Sequence, residues 1–195
     1  MISSMSNSQK LESKKSKWIP FNSYSKVLFD DAHIKLDIQK LSNTIYDDYY
    51  KNDCKELIII CVLRGAVFFL NDLLYYFPNN EDIKITLDFI RTSSYGDNTE
   101  SSGNVKILSD IQEDIENKDI LIVEDIIDTG NTLYYLKDYL LQKNPKSLKI
   151  CCMLNKEARR VKNIKADYVL YDIPDVFVYG KGLDPNRHFM DIYYK

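Results

Sequence analysis

Three carboxylates and a run of small polar residues stand close together in the middle of the chain. Glu124, Asp125 and Asp128 are followed at 129–132 by Thr-Gly-Asn-Thr. Small residues at the start of a helix can present successive N–H groups and hydroxyls to an anion, which the helix dipole also favours. The acids would repel that anion, so the ligand should also carry hydroxyls, a divalent cation or a proton to be moved. A sugar phosphate with Mg²⁺ meets all three requirements.

The neighbouring residues predict how these groups are positioned. The apolar run 120–123 predicts a strand that stops at Glu124. A helical pattern over 132–142 follows, with Asn144 and Pro145 as its stop signal. The candidate phosphate loop should therefore connect a strand to a helix.

The rest of the chain alternates between strand-like and helix-like segments. Apolar runs predict further strands over 57–63, 83–90, 148–154 and 168–170. Amphipathic patterns predict further helices over 32–50 and 67–77. This alternation predicts an α/β fold with a mainly parallel twisted sheet flanked by helices. Ligands bind such folds at the carboxyl ends of strands, where we expect Arg64, Arg91, Glu124 and Lys156.

A long polar segment at 92–106 interrupts this pattern. It is rich in Gly and Ser and has no periodicity. A loop of this length in a compact domain is typical of a lid over a binding site, although a tolerated surface insertion is the alternative.

Composition limits the possible functions. The 195 residues fit one domain, expected over 18–195, and the Ser-, Lys- and Asn-rich segment 1–17 predicts a flexible tail. The net charge of −3 favours neither nucleic acid nor membranes as partners, and no apolar stretch approaches the roughly 18 residues of a membrane span. The four cysteines lack CxxC spacing, which favours buried thiols in a cytoplasmic protein. Two histidines argue against a multi-histidine metal site.

The central motif resembles a known family signature. The stretch 123–133, Val-Glu-Asp-Ile-Ile-Asp-Thr-Gly-Asn-Thr-Leu, is similar to the phosphoribosyl pyrophosphate (PRPP) signature of type I phosphoribosyltransferases, and more narrowly to their hypoxanthine-guanine branch. The resemblance extends over about residues 18–194. It implies the type I phosphoribosyltransferase fold, with a small hood at about 156–190 and a flexible loop.

The resemblance also implies roles for the residues around PRPP. Glu124 and Asp125 would hold the ribose hydroxyls and Mg²⁺, and Asp128 would be the general base or the stabiliser of the purine proton. Residues that would bind the 5′-phosphate are Asp128, Thr129, Gly130, Asn131 and Thr132. Arg64 and Gly65 resemble a diphosphate loop in which the peptide before the basic residue can be cis, with Ala66 a mild departure from the usual second glycine.

Further matches concern the lid and the purine. Ser94 and Tyr95 resemble the pair that closes over the reacting centre. Lys156 would recognise the exocyclic oxygen of the purine, and Ile126 would also contact the purine. Phe177 would stack on the base, the backbone of Val178 would pair with its edge, and Asp184 would lie near its 2-position and a second Mg²⁺.

One position departs clearly from the family pattern. Met190 stands where the family commonly has an arginine that contacts diphosphate. Methionine cannot donate hydrogen bonds or offset charge. Either Arg187 or Lys181 would then supply the charge, or diphosphate would be held more weakly.

Together these matches imply a purine salvage enzyme. Its expected partners are PRPP, a 6-oxopurine, diphosphate and a purine nucleoside monophosphate, in a homodimer or homotetramer, with Mg²⁺ as cofactor. Hypoxanthine and guanine are the expected bases, and xanthine stays open. Two other classes remain: a regulatory relative that controls nucleic acid, and a Mg²⁺ phosphatase or receiver domain using the same acids. The first would need a basic surface, and the second does not explain the adjacent phosphate loop.

Overall fold

Within the residues that the computed structural model describes, 26–78, 80–94, 105–183 and 191–194, the chain forms two sheets and three α-helices. In chain order the elements are β1 (Lys26–Phe29), α1 (Asp31–Lys51), β2 (Glu56–Leu63), α2 (Val67–Tyr75), β3 (Lys84–Ser94), β4 (Val105–Ser109), β5 (Asp119–Ile127), α3 (Asn131–Leu141), β6 (Ser147–Asn155), β7 (Tyr168–Asp172), β8 (Val178–Gly180) and β9 (Ile192–Tyr194). The predicted tail lies outside the described residues.

The larger sheet has six strands in the order β4-β3-β2-β5-β6-β7. Only β4 is antiparallel to its neighbour, so the predicted mainly parallel sheet is confirmed. Its central strands are buried on both faces. Alternate residues of β2 enter different clusters, Ile59 on the side of α1 and α2 and Ile60 on the side of α3. The continuous apolar runs in the sequence arise from this two-sided burial.

Strand β5 is longer than its apolar run predicts. We expected it to stop at Glu124, but its register with β6 continues from Glu124 opposite Cys152 to Ile127 opposite Asn155. The acid pair is therefore part of the strand, because ladder hydrogen bonds do not require an apolar side chain. This places the carboxylates on a rigid element.

The expected lid loop also begins and ends within strands. Thr92 and Ser94 belong to β3, where they pair with Ile107 and Val105 of β4. The predicted loop of 92–106 was therefore too long at both ends, because its polar residues also pair in a ladder. The residues between these strands, Tyr95 among them, lie outside the described residues.

A second, smaller sheet has the order β1-β9-β8, with antiparallel pairs. The sequence patterns did not predict these strands of three or four residues. None of the described helices has the length and apolar character needed to cross a membrane.

The connections of the larger sheet locate its main crevice. Strands β2 and β5 are neighbours, but β2 leads through α2 to β3 on one side, whereas β5 leads through α3 to β6 on the other. In sheets of this kind ligands bind outside the carboxyl ends of the strands, where the connections diverge. A ligand is therefore expected beside the segments that follow β2 and β5.

Candidate active site

A cavity of about 270 Å³ opens at the carboxyl ends of β2 and β5. Its lining includes most of the residues expected to bind PRPP. They are Gly65, Glu124, Asp125, Asp128, Thr129, Gly130 and Thr132, together with Ile126, which was expected at the purine, and Thr92, the first residue of the expected lid loop. Arg64, Asn131, Lys156, Phe177 and Val178 are not in this lining.

The acid pair carries negative charge that nearby protein groups do not offset. Glu124 is buried, and Asp125 is partly exposed beside it. Burial and the neighbouring Asp125 raise the pKa of Glu124 well above its ordinary value, and burial raises the pKa of Asp125. Among the described residues, no lysine or arginine forms a salt bridge with either carboxylate. A bound cation would relieve this cost.

The loop after β2 lies directly against the acid pair. The Leu63–Arg64 peptide is cis, as the resemblance implied, and Arg64 is exposed. A Cβ atom added to Gly65 would lie 1.7 Å from Oδ2 of Asp125. Only glycine therefore allows this loop to approach Asp125 so closely.

The turn between β5 and α3 has its carbonyl groups already bonded. The backbone N–H of Lys156 donates to the Ile127 carbonyl, and that of Val161 donates to the Thr129 carbonyl, each over 2.9 Å. Nε of Arg160 donates to the Asp128 carbonyl over 3.2 Å. These bonds leave the opposite, N–H side of the turn for a ligand.

The N–H groups of this turn can receive an anion. Those of Thr129, Gly130 and Thr132 donate to no residue that the structure describes. Gly130 has a φ of 83°, and a Cβ atom there would lie 2.6 Å from Ile164. The turn thus combines a left-handed glycine, free donors and the N-terminus of an 11-residue helix.

Arg160 is a residue that sequence reasoning missed. It also donates to the carbonyls of Ile164 over 2.7 Å and Ile127 over 3.3 Å, and to the side chain of Asn155. One guanidinium group thereby holds the turn on the segment after β6. Two adjacent arginines in a polar segment resemble an ordinary solvated surface, so the sequence carried no signal for this role.

Asp128 faces a second arginine. Its buried Oδ1 lies 3.3 Å from Nε of Arg159, without the geometry of a hydrogen bond, and it has no hydrogen-bond partner among the described residues. Nε of Arg159 also lies 3.9 Å from Oδ1 of Asp175, which precedes β8. Arg159 thus lies between the turn and the smaller sheet, and it too was not anticipated.

The residues expected at the purine have contrasting environments. Lys156 is only 5% exposed, and none of the ion pairs between described residues includes it. Phe177 is 55% exposed, whereas Val178 is buried in β8 opposite Tyr194. The side chain of Ser94, and the whole of Tyr95 and Asp184, lie outside the described residues.

The structure corrects one expectation about the charge at the diphosphate end. Lys181 is 3% exposed, and its Nζ lies 2.5 Å from Oδ2 of Asp72 and 3.3 Å from Oδ1 of Asp31. Because Lys181 already pairs with these two carboxylates, it does not replace the arginine that the family commonly has at the position of Met190. Met190 and Arg187 lie outside the described residues.

Comparison with known proteins agrees with this geometry. The family described as phosphoribosyl transferase domain matches residues 26–186. A hypoxanthine-guanine phosphoribosyltransferase of Streptococcus thermophilus is 40% identical over 169 residues, which cover 87% of this chain and 90% of the relative. A hypoxanthine phosphoribosyltransferase of Escherichia coli is 38% identical over 168 residues, which cover 86% and 92% of the two chains.

A solved structure gives the same result for the fold. The crystal structure of a hypoxanthine-guanine phosphoribosyltransferase from Bacillus anthracis superimposes with a TM-score of 0.79 and 36% identity, over 87% of this chain and 98% of that one. Fold, site and sequence therefore agree that this chain belongs to the phosphoribosyltransferase family, in its hypoxanthine-guanine branch.

Proposed function

We propose that the protein transfers the 5-phosphoribosyl group of PRPP to hypoxanthine or guanine in purine salvage, with Mg²⁺. The products are inosine or guanosine monophosphate and diphosphate. One observation carries this proposal: an acid pair without a cation, Glu124 buried and Asp125 half-buried, lies between a glycine loop and a turn with free N–H groups, at a single cavity. The relative named hypoxanthine-guanine phosphoribosyltransferase supports both bases, and the one named hypoxanthine phosphoribosyltransferase supports hypoxanthine.

The donor groups present fit Mg²⁺. Mg²⁺ prefers oxygen ligands and is commonly held by one or two carboxylates together with substrate phosphates and water. The described residues contain no cluster of three or more ligating side chains, but Glu124 and Asp125 offer two carboxylates without a cation. Bound Mg²⁺ would offset charge on the departing diphosphate. Asp184 is our proposed contact for a second ion.

PRPP would lie across the cavity between two loops. The free N–H groups of Thr129, Gly130 and Thr132 bind its 5′-phosphate, and Glu124 and Asp125 accept hydrogen bonds from its ribose hydroxyls. Its diphosphate lies toward Arg64 and Gly65, whose backbone approaches Asp125. This arrangement fixes the anomeric carbon against an incoming base.

The purine would enter from the side of the smaller sheet. Lys156 donates to its exocyclic oxygen, and the low exposure of this lysine, without an ion pair to any described residue, supports that role. The exposed ring of Phe177 stacks on the base, while Ile126 and the backbone of Val178 contact its edge. These groups orient the ring nitrogen that attacks the sugar.

The reaction moves one proton as well as the ribosyl group. A carbon–nitrogen bond forms at the anomeric carbon, the carbon–oxygen bond to diphosphate breaks, and the purine loses a proton. Asp128 lies where it can accept that proton, or hold it on a ring nitrogen, since its Oδ1 has no hydrogen-bond partner among the described residues. Ser94 and Tyr95 would close over the site and exclude water, which otherwise hydrolyses PRPP.

We further propose a homodimer or homotetramer in the cytoplasm. Leu87 and Phe89 lie on one face of β3, and each is 42% exposed. Neighbouring exposed apolar side chains support an interface between copies, which light scattering after gel filtration would measure. All four cysteines are buried and free, which supports a reducing compartment.

The test is a comparison of bases. Purified protein with Mg²⁺ and PRPP is given hypoxanthine, guanine, xanthine or adenine, and nucleotides are quantified by chromatography. We expect nucleotide from hypoxanthine and guanine and none from adenine. If no oxopurine yields a nucleotide, the proposal is wrong, and a phosphatase or regulatory protein becomes the better interpretation.

A further inference from the structure

The turn after β8 carries a lysine in an unusual position. Lys181 has a φ of 47°, which is rare for a residue other than glycine, and it stands between two glycines of positive φ, Gly180 and Gly182. The N–H of Leu183 donates to the Gly180 carbonyl over 2.9 Å and closes the turn. The side chain of this lysine is therefore directed inward by a tight turn.

The inward side chain joins the turn to two helices. Asp31 begins α1 and Asp72 lies within α2, the helix that follows the Arg64–Gly65 loop. Burial alone would raise the pKa of Asp31, but hydrogen bonds from Lys35 and Lys181 outweigh it, and the pKa lies below the ordinary value. Lys181 is thus the buried cation of a three-residue charge cluster with Asp31 and Asp72.

The same turn lies against the loop proposed to bind diphosphate. A Cβ atom added to Gly182 would lie 2.9 Å from the Gly65 carbonyl oxygen and 2.7 Å from the ring of Phe68. The Gly65 backbone, in turn, touches Asp125. An unbroken series of contacts therefore leads from Lys181 through Gly182 and Gly65 to the acid pair.

We propose that Lys181 is a positioning residue for PRPP: its ion pairs with Asp31 and Asp72 press the 180–183 turn onto the Gly65 loop and hold that loop in its diphosphate-binding shape. Lys181 does not touch the substrate. Because a buried ion pair broken on one side leaves an uncompensated charge, removing the lysine should release the turn rather than leave it in place. The inference rests on the proposed function, since it concerns the diphosphate end of that reaction.

The test compares two lysines that share one partner. Lys181→Met removes the buried cation. Lys35→Met removes the other cation that pairs with Asp31; the Lys35 side chain is 43% exposed and is not part of the turn. The readouts are kcat, the KM for PRPP, the KM for hypoxanthine, and the Kd of Mg-diphosphate by calorimetry. We expect Lys181→Met to raise the KM for PRPP and the Kd for diphosphate about tenfold, with much smaller changes for hypoxanthine and in Lys35→Met.

A second variant covers the case in which Lys181→Met does not fold. Asp72→Asn keeps the side-chain volume and weakens the same contact, so it should shift the diphosphate Kd in the same direction. Equal increases for PRPP and hypoxanthine, a fall in kcat alone, or an equal effect of Lys35→Met would overturn the inference. The measured Kd of Mg-diphosphate decides the role of Lys181 even if the wild-type protein transfers nothing to any base. That outcome would contradict only the proposed function.

Discussion

Single residues at the site differ from similar residues elsewhere in whether their charge is compensated. Asp119 and Glu124 both lie on β5 and are both buried. Burial alone would raise the pKa of Asp119, but Lys146 and Ser147 bond its carboxylate and the pKa is lowered. Glu124 has no such cation, and its pKa is raised. Of these two acids, only Glu124, near the carboxyl end of the strand, is uncompensated, which indicates a ligand-binding role at that end.

This difference predicts that Glu124 lowers the stability of the metal-free protein. The folded pKa of Glu124 lies above its unfolded value, so the folded state has its full stability below about pH 4.5, where Glu124 is protonated. That stability is lost as pH rises through the raised pKa, because the buried side chain then becomes charged. Glu124→Gln should therefore increase Tm at pH 8 by about 2–4 °C, corresponding to about 1 kcal/mol. Thermal melts without metal at pH 5 to 8 measure the effect, which should grow with pH.

The exposed Glu116 provides the control for this change. Glu116→Gln should leave Tm and its pH dependence unaltered, because its exposed carboxylate keeps its contact with water in the folded protein. Mg²⁺ with PRPP should stabilise the wild-type protein and not Glu124→Gln. A Glu124→Gln protein that melts earlier than wild type at pH 8 would contradict the uncompensated charge.

Asp128 should affect the chemical step more than binding. Asp128→Asn keeps the backbone that would hold the 5′-phosphate but removes the proton acceptor. We expect kcat to fall about 10²- to 10³-fold, with a change of less than about threefold in the KM for PRPP. Steady-state kinetics test this, with Asp138→Asn on the exposed side of α3 as control. Equal losses in both parameters would argue against the proton role.

At the scale of elements, the site depends on how closely two connecting segments approach each other. The loop after β2 and the end of β5 meet where Gly65 touches Asp125. Gly65→Ala should displace Asp125 and weaken the binding of Mg-PRPP about tenfold or more. Calorimetric titration measures this, with Val67→Ala, at the exposed start of α2, as control. Unchanged affinity in Gly65→Ala would mean that the loop is not part of the PRPP site.

The long elements could be predicted from the sequence, and their ends less well. Helix α1 was predicted within one residue at each end, because one of its faces packs on the sheet and gives a regular apolar period. The predicted end of β5 was wrong, because the last residues of the strand pair with β6 although two of them are acidic. The short strands β1, β8 and β9 were not predicted, since their pairing joins distant parts of the chain and leaves no local pattern.

At the scale of the whole molecule, the larger sheet brings together groups that are far apart in sequence. The diverging connections of β2 and β5 place Gly65 against Asp125, and the segment after β6 supplies Arg160 to the turn. The motif at 123–133 could be recognised because the phosphate turn is local. The roles of Arg159, Arg160 and Lys181 could not, because each depends on a contact across at least 31 positions.

Lys181 illustrates why charge alone does not identify a ligand contact. In the sequence it is one of several basic residues near the expected diphosphate site. In the structure two carboxylates of α1 and α2 bind it, so it links the smaller sheet to the helices. Lys156 is the opposite case, a buried lysine whose side chain forms no ion pair with a described residue, and it remains the better candidate for contact with substrate.

The central claim is that PRPP loses diphosphate only when a purine takes its place. Phosphorus NMR of a mixture of protein, Mg²⁺, PRPP and hypoxanthine measures this directly. The account predicts that diphosphate and a nucleoside 5′-monophosphate appear in equal amounts, and that neither appears without the base or after Mg²⁺ is chelated. Release of inorganic phosphate, or of diphosphate without a matching nucleotide, would contradict it.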